Sequence, residues 1–238
     1  MHTCQCCNRS DPFEDTERAG ALTPGALLLR CNRSDPFEDT ERSTRKLPIM
    51  KIDPDTCIGC KQCIPYCPMG AIHLTDEGVA EIDWDECVEC GVCLRNADCP
   101  TDSIIEIENP WPRSVRGLFS NPLAEHKETR IPGRGTEEMK TNDVTGRFRY
   151  GQVGMAIEVG RPGTGARFRD IQILTAALAE LGIHLEPQNP VTYLIVDEEK
   201  GLLNPDVLDE KVLSAIVEFT IPIEKVPAVI ERLREVEG

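Results

Sequence analysis

The sequence predicts an α+β chain in three parts behind a leader. A small strand-and-turn unit spans 49–108, an irregular connector 109–150, and a second α+β domain 151–238. Three observations carry this reading. Eight of the twelve cysteines fall between positions 57 and 99, in two runs of four. Four short apolar runs, bounded by turn residues, flank and separate those cysteines. Beyond residue 151 the apolar residues recur at helical and at strand spacing.

The charge balance narrows the function classes. The chain has 26 basic and 41 acidic residues, a net charge of −15. Such a field repels nucleic acid and anionic lipid and suits docking onto a basic protein surface. No run of 18 apolar residues exists, so no membrane insertion is expected, and "GALLLR" at 25–30 is too short for a signal-peptide core. A cytoplasmic protein is expected. Clustered thiols without a secretory signal argue against a disulfide scaffold and leave metal binding or redox chemistry.

The leader, 1–46, contains "CNRSDPFEDTER" twice, identically, at 7–18 and 31–42. Each copy has one large apolar residue, Phe13 or Phe37, and cannot bury a core. It reads as a recent duplication at the DNA level, disordered in the native protein or absent from it. Met50 fits a native start, which leaves Cys4, Cys6, Cys7 and Cys31 outside the functional chain. The alternative is an accessory metal site on those thiols.

The first cysteine run is Cys57-x2-Cys60-x2-Cys63-x3-Cys67-Pro68, and the second is Cys87-x2-Cys90-x2-Cys93-x5-Cys99-Pro100. Three cysteines at this spacing wrap a tight loop around one corner of a metal cluster, with backbone amides pointing inward. Zinc ribbons use two C-x2-C pairs rather than two such triplets, and disulfides between cysteines three apart are strained. "IMKID" (49–53), "AIHL" (71–74), "VAEID" (79–83) and "SIIEIE" (103–108) read as strands, with "TDEG" (75–78) as a hairpin turn. Together they predict a pseudo-twofold pair of hairpins. His73 reads as a surface strand residue. From Met50 to Ile107 there are 3 basic and 12 acidic residues.

Over about residues 49–108 the chain resembles the bacterial two-cluster ferredoxins. The resemblance implies two [4Fe-4S] clusters with crossed ligation. One would take Cys57, Cys60, Cys63 and Cys99, the other Cys87, Cys90, Cys93 and Cys67. Metal binding would then supply folding energy to a small core. The five-residue gap before Cys99 departs from the usual three and puts the local loop path in question. Asp98, beside Cys99, is expected to lower the potential of the nearer cluster.

The connector carries a net charge opposite to the rest: from Glu108 to Asp170 there are 11 basic and 8 acidic residues. Trp111, Leu118, Phe119 and Ile131 are more apolar than a flexible linker needs. They read as anchors of an extended segment wrapping another subunit or the second domain. A solvated linker with incidental hydrophobic residues is the other reading.

In the last part, 152–160 reads as a strand. Residues 166–182 read as a helix with Ile171, Leu174, Leu178 and Leu181 on one face and Gly182 as its C-cap. Residues 191–196 and 211–221 read as strands, the latter with Leu213, Ala215, Val217, Phe219 and Ile221 on one face. Residues 223–237 read as a helix with Val226, Val229, Ile230, Leu233 and Val236 inward. This order resembles a ferredoxin-like α+β sandwich of the ACT type, which implies edge-to-edge pairing into a homodimer. The stretch "GRPGTGARFRD" (160–170) places glycines and arginines before a helix. Arg161, Gly163, Gly165 and Arg167 are candidates for binding an anion or nucleotide, or for contacting a partner. The alternative is a tight turn with arginines facing solvent or an acidic surface.

No nucleophile–base pair, paired acid and base, or flavin motif stands out. Iron–sulfur clusters move single electrons. The expected function is that of an electron-transfer subunit, not catalytic alone. It would relay electrons through both clusters to or from a flavin- or metal-containing catalytic subunit of an oxidoreductase in an anaerobe. The alternative is a redox-sensing regulator whose ACT-like domain binds a metabolite. A self-contained reductase would need a substrate pocket that the sequence does not reveal.

Overall fold

The structure, a computed structural model, describes residues 49–236 except 109, 137–145 and 147. The leader expectation for 1–46 lies outside the described residues, as does part of the connector.

The cysteine-rich unit has four short strands: β1 (Ile49–Ile52), β2 (Ile72–Leu74), β3 (Ala80–Ile82) and β4 (Ile104–Ile107). The β2–β3 pair is the expected hairpin, with Ile72 opposite Ile82 and the Gly78 amide closing the turn on Thr75. The second expected hairpin is not one. β1 pairs antiparallel with β4, Ile49 opposite Ile107, so the first and last strands of the unit close on each other. Each half therefore lends a strand to the other. Met50, Ile52 and Ile104 meet Ile72, Ala80 and Ile82 in one core around Cys63 and Cys93.

The unequal cysteine gaps have a local explanation. After Cys63 the chain makes one 3-10 turn, Ile64–Tyr66, with Pro65 in its first turn. After Gly91 the second run instead forms a short helix, α1 (Val92–Asn96), which carries Cys93. The longer spacing accommodates this helical turn and still returns Cys99 to the position that Cys67 holds in the first half.

The described part of the connector is not extended throughout. It contains α2 (Ser114–Ser120), whose Val115 and Phe119 are buried. Trp111 and Leu118 pack against the same apolar cluster, which belongs mainly to the last third of the chain. Three of the four expected anchors thus bury against the second domain, while Ile131 is half-buried outside that cluster.

There, β5 (Gln152–Val159) pairs along its whole length with β10 (Ala215–Pro222). Behind them lie α3 (Phe168–Glu180) and α5 (Val226–Val236). Gly182 ends α3 at φ 63° and the Ile183 amide returns to the Leu178 carbonyl, a closure that glycine permits at no steric cost. Ile171, Leu178, Val217, Phe219 and Val229 form the centre of the core.

Four expectations change here. Residues 190–193 are helical, α4 (Pro190–Tyr193), because the Asn189 side chain caps the Val191 amide and Pro190 presets the first turn. Only Ile195–Asp197 is strand, β7, paired with β8 (Leu202–Leu203). Leu213 leaves its expected face and packs toward Met69, Val88 and Cys90 of the cysteine-rich unit. Ile230 is exposed rather than inward. Finally, the ACT-type four-stranded sheet is not formed among the described residues. Strands pair two by two, including β6 (Ala166–Arg167) with β9 (Lys211–Val212), and β10 gains only a bridge from Leu185 on its other side. Among the described residues no helix is long and apolar enough to cross a membrane.

Candidate metal centre

The two cysteine runs are built as copies, residue for residue, up to the third cysteine. The Cys57 amide donates to the Asp53 carbonyl at 3.0 Å, and the Cys87 amide to the Asp83 carbonyl at 2.9 Å. The Asp53 and Asp83 side chains accept the amides of Asp55 and Asp85 at 3.1 and 2.8 Å. Left-handed backbone recurs at matching positions: Gly59 and Glu89, Lys61 and Gly91, Gly70 and Asp102. Glycine at 59 is demanded twice over, since φ is 66° and a Cβ would overlap the Gly78 carbonyl oxygen. After the fourth cysteine the copies resume. The Ala71 amide donates to Cys67 Sγ at 3.2 Å, and the Ser103 amide to Cys99 Sγ at 3.4 Å.

This folding brings the thiols together in two groups. Cys57, Cys60, Cys63 and Cys99 line one cavity with Ile52, Ala80 and Ile104. Cys63 feels the charges of Cys57, Cys60 and Cys99. Cys90 and Cys93 both feel Cys67, and Cys87 feels Cys90. Cys93 also feels Cys63, so the two groups adjoin. Among the described residues no three His, Cys, Asp or Glu side chains converge as on a single metal ion. A cubane is held differently, by thiolates at its four corners.

The chemistry of the donors fits such a cluster. Backbone amides aim at Sγ of Cys57, Cys67 and Cys99, as they would at thiolates. Burial pushes the thiols of Cys87 and Cys93 up to about 12. Burial also raises Cys63 and Cys90. At Cys99 burial acts upward too, but bonds from Thr101 and Ser103 prevail and hold the thiol below its ordinary range. Buried thiols that resist ionisation alone would be held as thiolates by a positive group among them, which iron would supply on binding.

The two sites differ in what covers them. Ile58, between Cys57 and Cys60, is 66% exposed, and its counterpart Val88 is 1% exposed. Cys60 is exposed, and its counterpart Cys90 is buried. The cover over the second site comes from the rest of the chain. Arg116 is buried on α2. Its Nη1 donates to the carbonyls of Trp84, Asp85 and Cys87 at 3.0, 2.9 and 2.8 Å, and its Nε pairs with Glu210. Arg113 donates to Glu89 and to the Trp84 carbonyl and lies over the Trp84 ring. Lys211 pairs with Glu86 at 2.5 Å, and Leu213 packs on Val88 and Cys90. None of Arg113, Arg116 and Glu89 was singled out from sequence. The only signal was the basic connector beside an acidic cysteine-rich unit.

Three of the four residues of the glycine–arginine loop, Gly163, Gly165 and Arg167, serve the same interface. The Gly163 amide donates to the Pro68 carbonyl at 2.6 Å, and the Thr164 and Gly165 amides donate to the Arg161 carbonyl. Gly165 abuts Met69 and Lys211. Arg167 bonds Asp85 and the Asp209 carbonyl, its own amide goes to Asp170, and the Phe168 and Arg169 amides go to Glu210 and Leu208. Arg161 pairs with Glu158. The free amides that an anion site needs are therefore already committed within the chain. The loop instead contacts the acidic surface of the cysteine-rich unit.

Comparison with known proteins agrees on the first cysteine run. Residues 50–73 match the family model of the 4Fe-4S binding domain. A component of an ion-translocating oxidoreductase complex from Methanosarcina acetivorans is 52% identical over 48 residues, which cover 20% of this chain and 17% of that protein. Pyruvate synthase subunit PorD from Methanocaldococcus jannaschii is 34% identical over 56 residues, covering 24% of this chain and 63% of that one. A ferredoxin from Rickettsia felis is 40% identical over 73 residues, covering 28% and 63%. The chain thus spans less than two thirds of the length of each of these relatives. No solved structure matches it.

Proposed function

We propose that the chain is the electron-transfer subunit of an oxidoreductase complex, not catalytic alone, and that it carries two [4Fe-4S] clusters. Cys57, Cys60, Cys63 and Cys99 would hold one cluster, and Cys87, Cys90, Cys93 and Cys67 the other. The observation that carries the reading is the repeat of donor geometry in both halves, down to the amide donated to Cys67 and to Cys99 four residues on. When bound, each cluster supplies a one-electron couple. The chain's own residues place the two sites side by side in one core, cover Val88 and Cys90 of the second and leave the first open at Ile58 and Cys60. The open site is the natural point of exchange with a catalytic partner. Relatives named as pyruvate synthase PorD and as part of an ion-translocating oxidoreductase complex favour such a partner.

The sensor reading rested on an ACT-type module, and the strand pairing lends that module no support. A homodimer through the second domain loses the same premise. The test is anaerobic purification of the full chain, with iron per chain measured alongside the mass of whatever co-elutes. About eight irons and a stable larger partner agree with the proposal. Eight irons in a chain that elutes alone and binds a metabolite would replace it with the sensor. Four irons or fewer in an intact sample would remove the second cluster.

A further inference from the structure

The two halves are copies, so the places where they differ are informative. In the first half the Ala80 amide, on β3, donates to Cys57 Sγ at 3.4 Å. The corresponding amide for the second half is that of Met50, on β1. It donates not to Cys87 but to Glu89 Oε2, at 2.8 Å. Glu89 occupies the position that Gly59 holds in the first half, with the same left-handed backbone. The carboxylate thus intercepts a hydrogen bond that the other half gives to a ligand sulfur.

Glu89 brings a charge as well. Its side chain has no exposed surface, and its Oε1 accepts Arg113 Nε at 2.9 Å and Nη2 at 2.5 Å. Arg113 offsets that charge from one side, while Glu89 itself stands in the loop between Cys87 and Cys90. Reduction adds one negative charge to a cluster. An N–H donated to a ligand sulfur favours the reduced form, while a nearby buried carboxylate and exclusion of water disfavour it. The missing amide bond, the carboxylate and the cover act in one direction, and only the guanidinium of Arg113 acts in the other. The second site has lost an N–H···S bond, gained a carboxylate and been covered.

We infer that Glu89 sets the two sites apart in reduction potential, holding the buried one (Cys67, Cys87, Cys90, Cys93) below the exposed one (Cys57, Cys60, Cys63, Cys99). This rests on the two-cluster reading above. One electron moving from the buried to the exposed site then runs downhill, with no bond made or broken and no proton transferred. The chain delivers electrons outward through the open face at Ile58. Glu89 is a positioning residue, acting through Cys87 and the Met50 amide.

The test uses the full chain, reconstituted anaerobically, with iron counted first and potentials read by EPR-monitored redox titration. The wild type should show two separate one-electron couples. Glu89→Gln keeps the side chain's shape and removes its charge. It should move the lower couple upward by at least a factor of ten in equilibrium constant, about 59 mV for one electron, and leave the upper couple in place. Arg113→Gln, which removes the offsetting charge, should move the lower couple downward, and it serves where Glu89→Gln does not fold. Coincident couples in the wild type, or a shift in the upper couple alone, would overturn the inference. Eight irons with unmoved potentials would overturn it while sparing the two-cluster reading. Four irons or fewer would remove both.

Discussion

Arg116 is the side chain on which the join between the two halves of the molecule depends most. It is 4% exposed, and its partners are one carboxylate, Glu210, and three carbonyls in the loop that leads to Cys87. Arg116→Met keeps most of the apolar stem and removes the guanidinium. The Glu210 carboxylate, whose side chain is 14% exposed, is then left with no counter-charge. Breaking a buried pair in this way costs about 3–5 kcal/mol. The stranded carbonyls add to that, because an unmet buried acceptor costs about 1–3 kcal/mol and only some can turn to water. Against a total stability of about 5–15 kcal/mol, the lower figure alone is a large share. In urea the unfolding midpoint of the anaerobic holoprotein should fall by about 1–2 M, taking a slope of about 2–3 kcal/mol per M. Adding Glu210→Gln should recover part of the loss, since the uncompensated charge is then gone. A stability for Arg116→Met within about 0.5 kcal/mol of the wild type would refute the reasoning, as would a double variant less stable than the single one.

Cys60→Ser and Cys90→Ser should each lower iron from about eight to about four per chain, but Cys90→Ser should also lower the urea midpoint further, because Cys90 is buried under Leu213 while Cys60 is exposed. Gly59→Ala should destabilise the chain more than Gly70→Ala in the same assay. Both adopt left-handed backbone, which costs a non-glycine residue about 1–2 kcal/mol, but only at 59 would the new Cβ strike a carbonyl, that of Gly78. Asp98→Asn should move neither potential as far as Glu89→Gln moves the lower one, because Asp98 is exposed and its charge is screened by solvent. An Asp98→Asn shift as large as that of Glu89→Gln would show that sequence adjacency to a ligand outweighs burial.

The chemistry of the site was legible in the linear sequence because it is local. Three cysteines at spacing two, closed by Cys-Pro, specify a loop whose amides turn inward, and that loop needs little from the rest of the chain. The alternation of Val217, Phe219 and Ile221, and Gly182 closing α3, were legible for the same reason. The strand expected at 191–196 failed on a local signal that was there to read: an Asn-Pro pair, which caps and starts a helical turn. The ACT-type sandwich failed for a non-local reason. Apolar periodicity says which face of a strand is buried but not which strand lies beside it, and β5 chose β10 alone.

Sequence by itself determined where the thiols of this protein gather: eight cysteines in two loops, with acidic residues around them. Tertiary structure alone decided that the two loops are not equivalent. The motifs share their cysteine spacing up to the third cysteine, yet Ile58 stands in solvent and Val88 is sealed. The reason is that the seal comes from Arg116, Lys211 and Leu213, as far as 125 positions away in the chain, as Lys211 is from Glu86. Their charges and apolar surface are visible in the sequence, but the partners they meet are set by how the second domain docks. Glu89 is the clearest case. As a letter between two cysteines it is one more acidic residue, and only its burial against Arg113 and the Met50 amide distinguishes its site from the other.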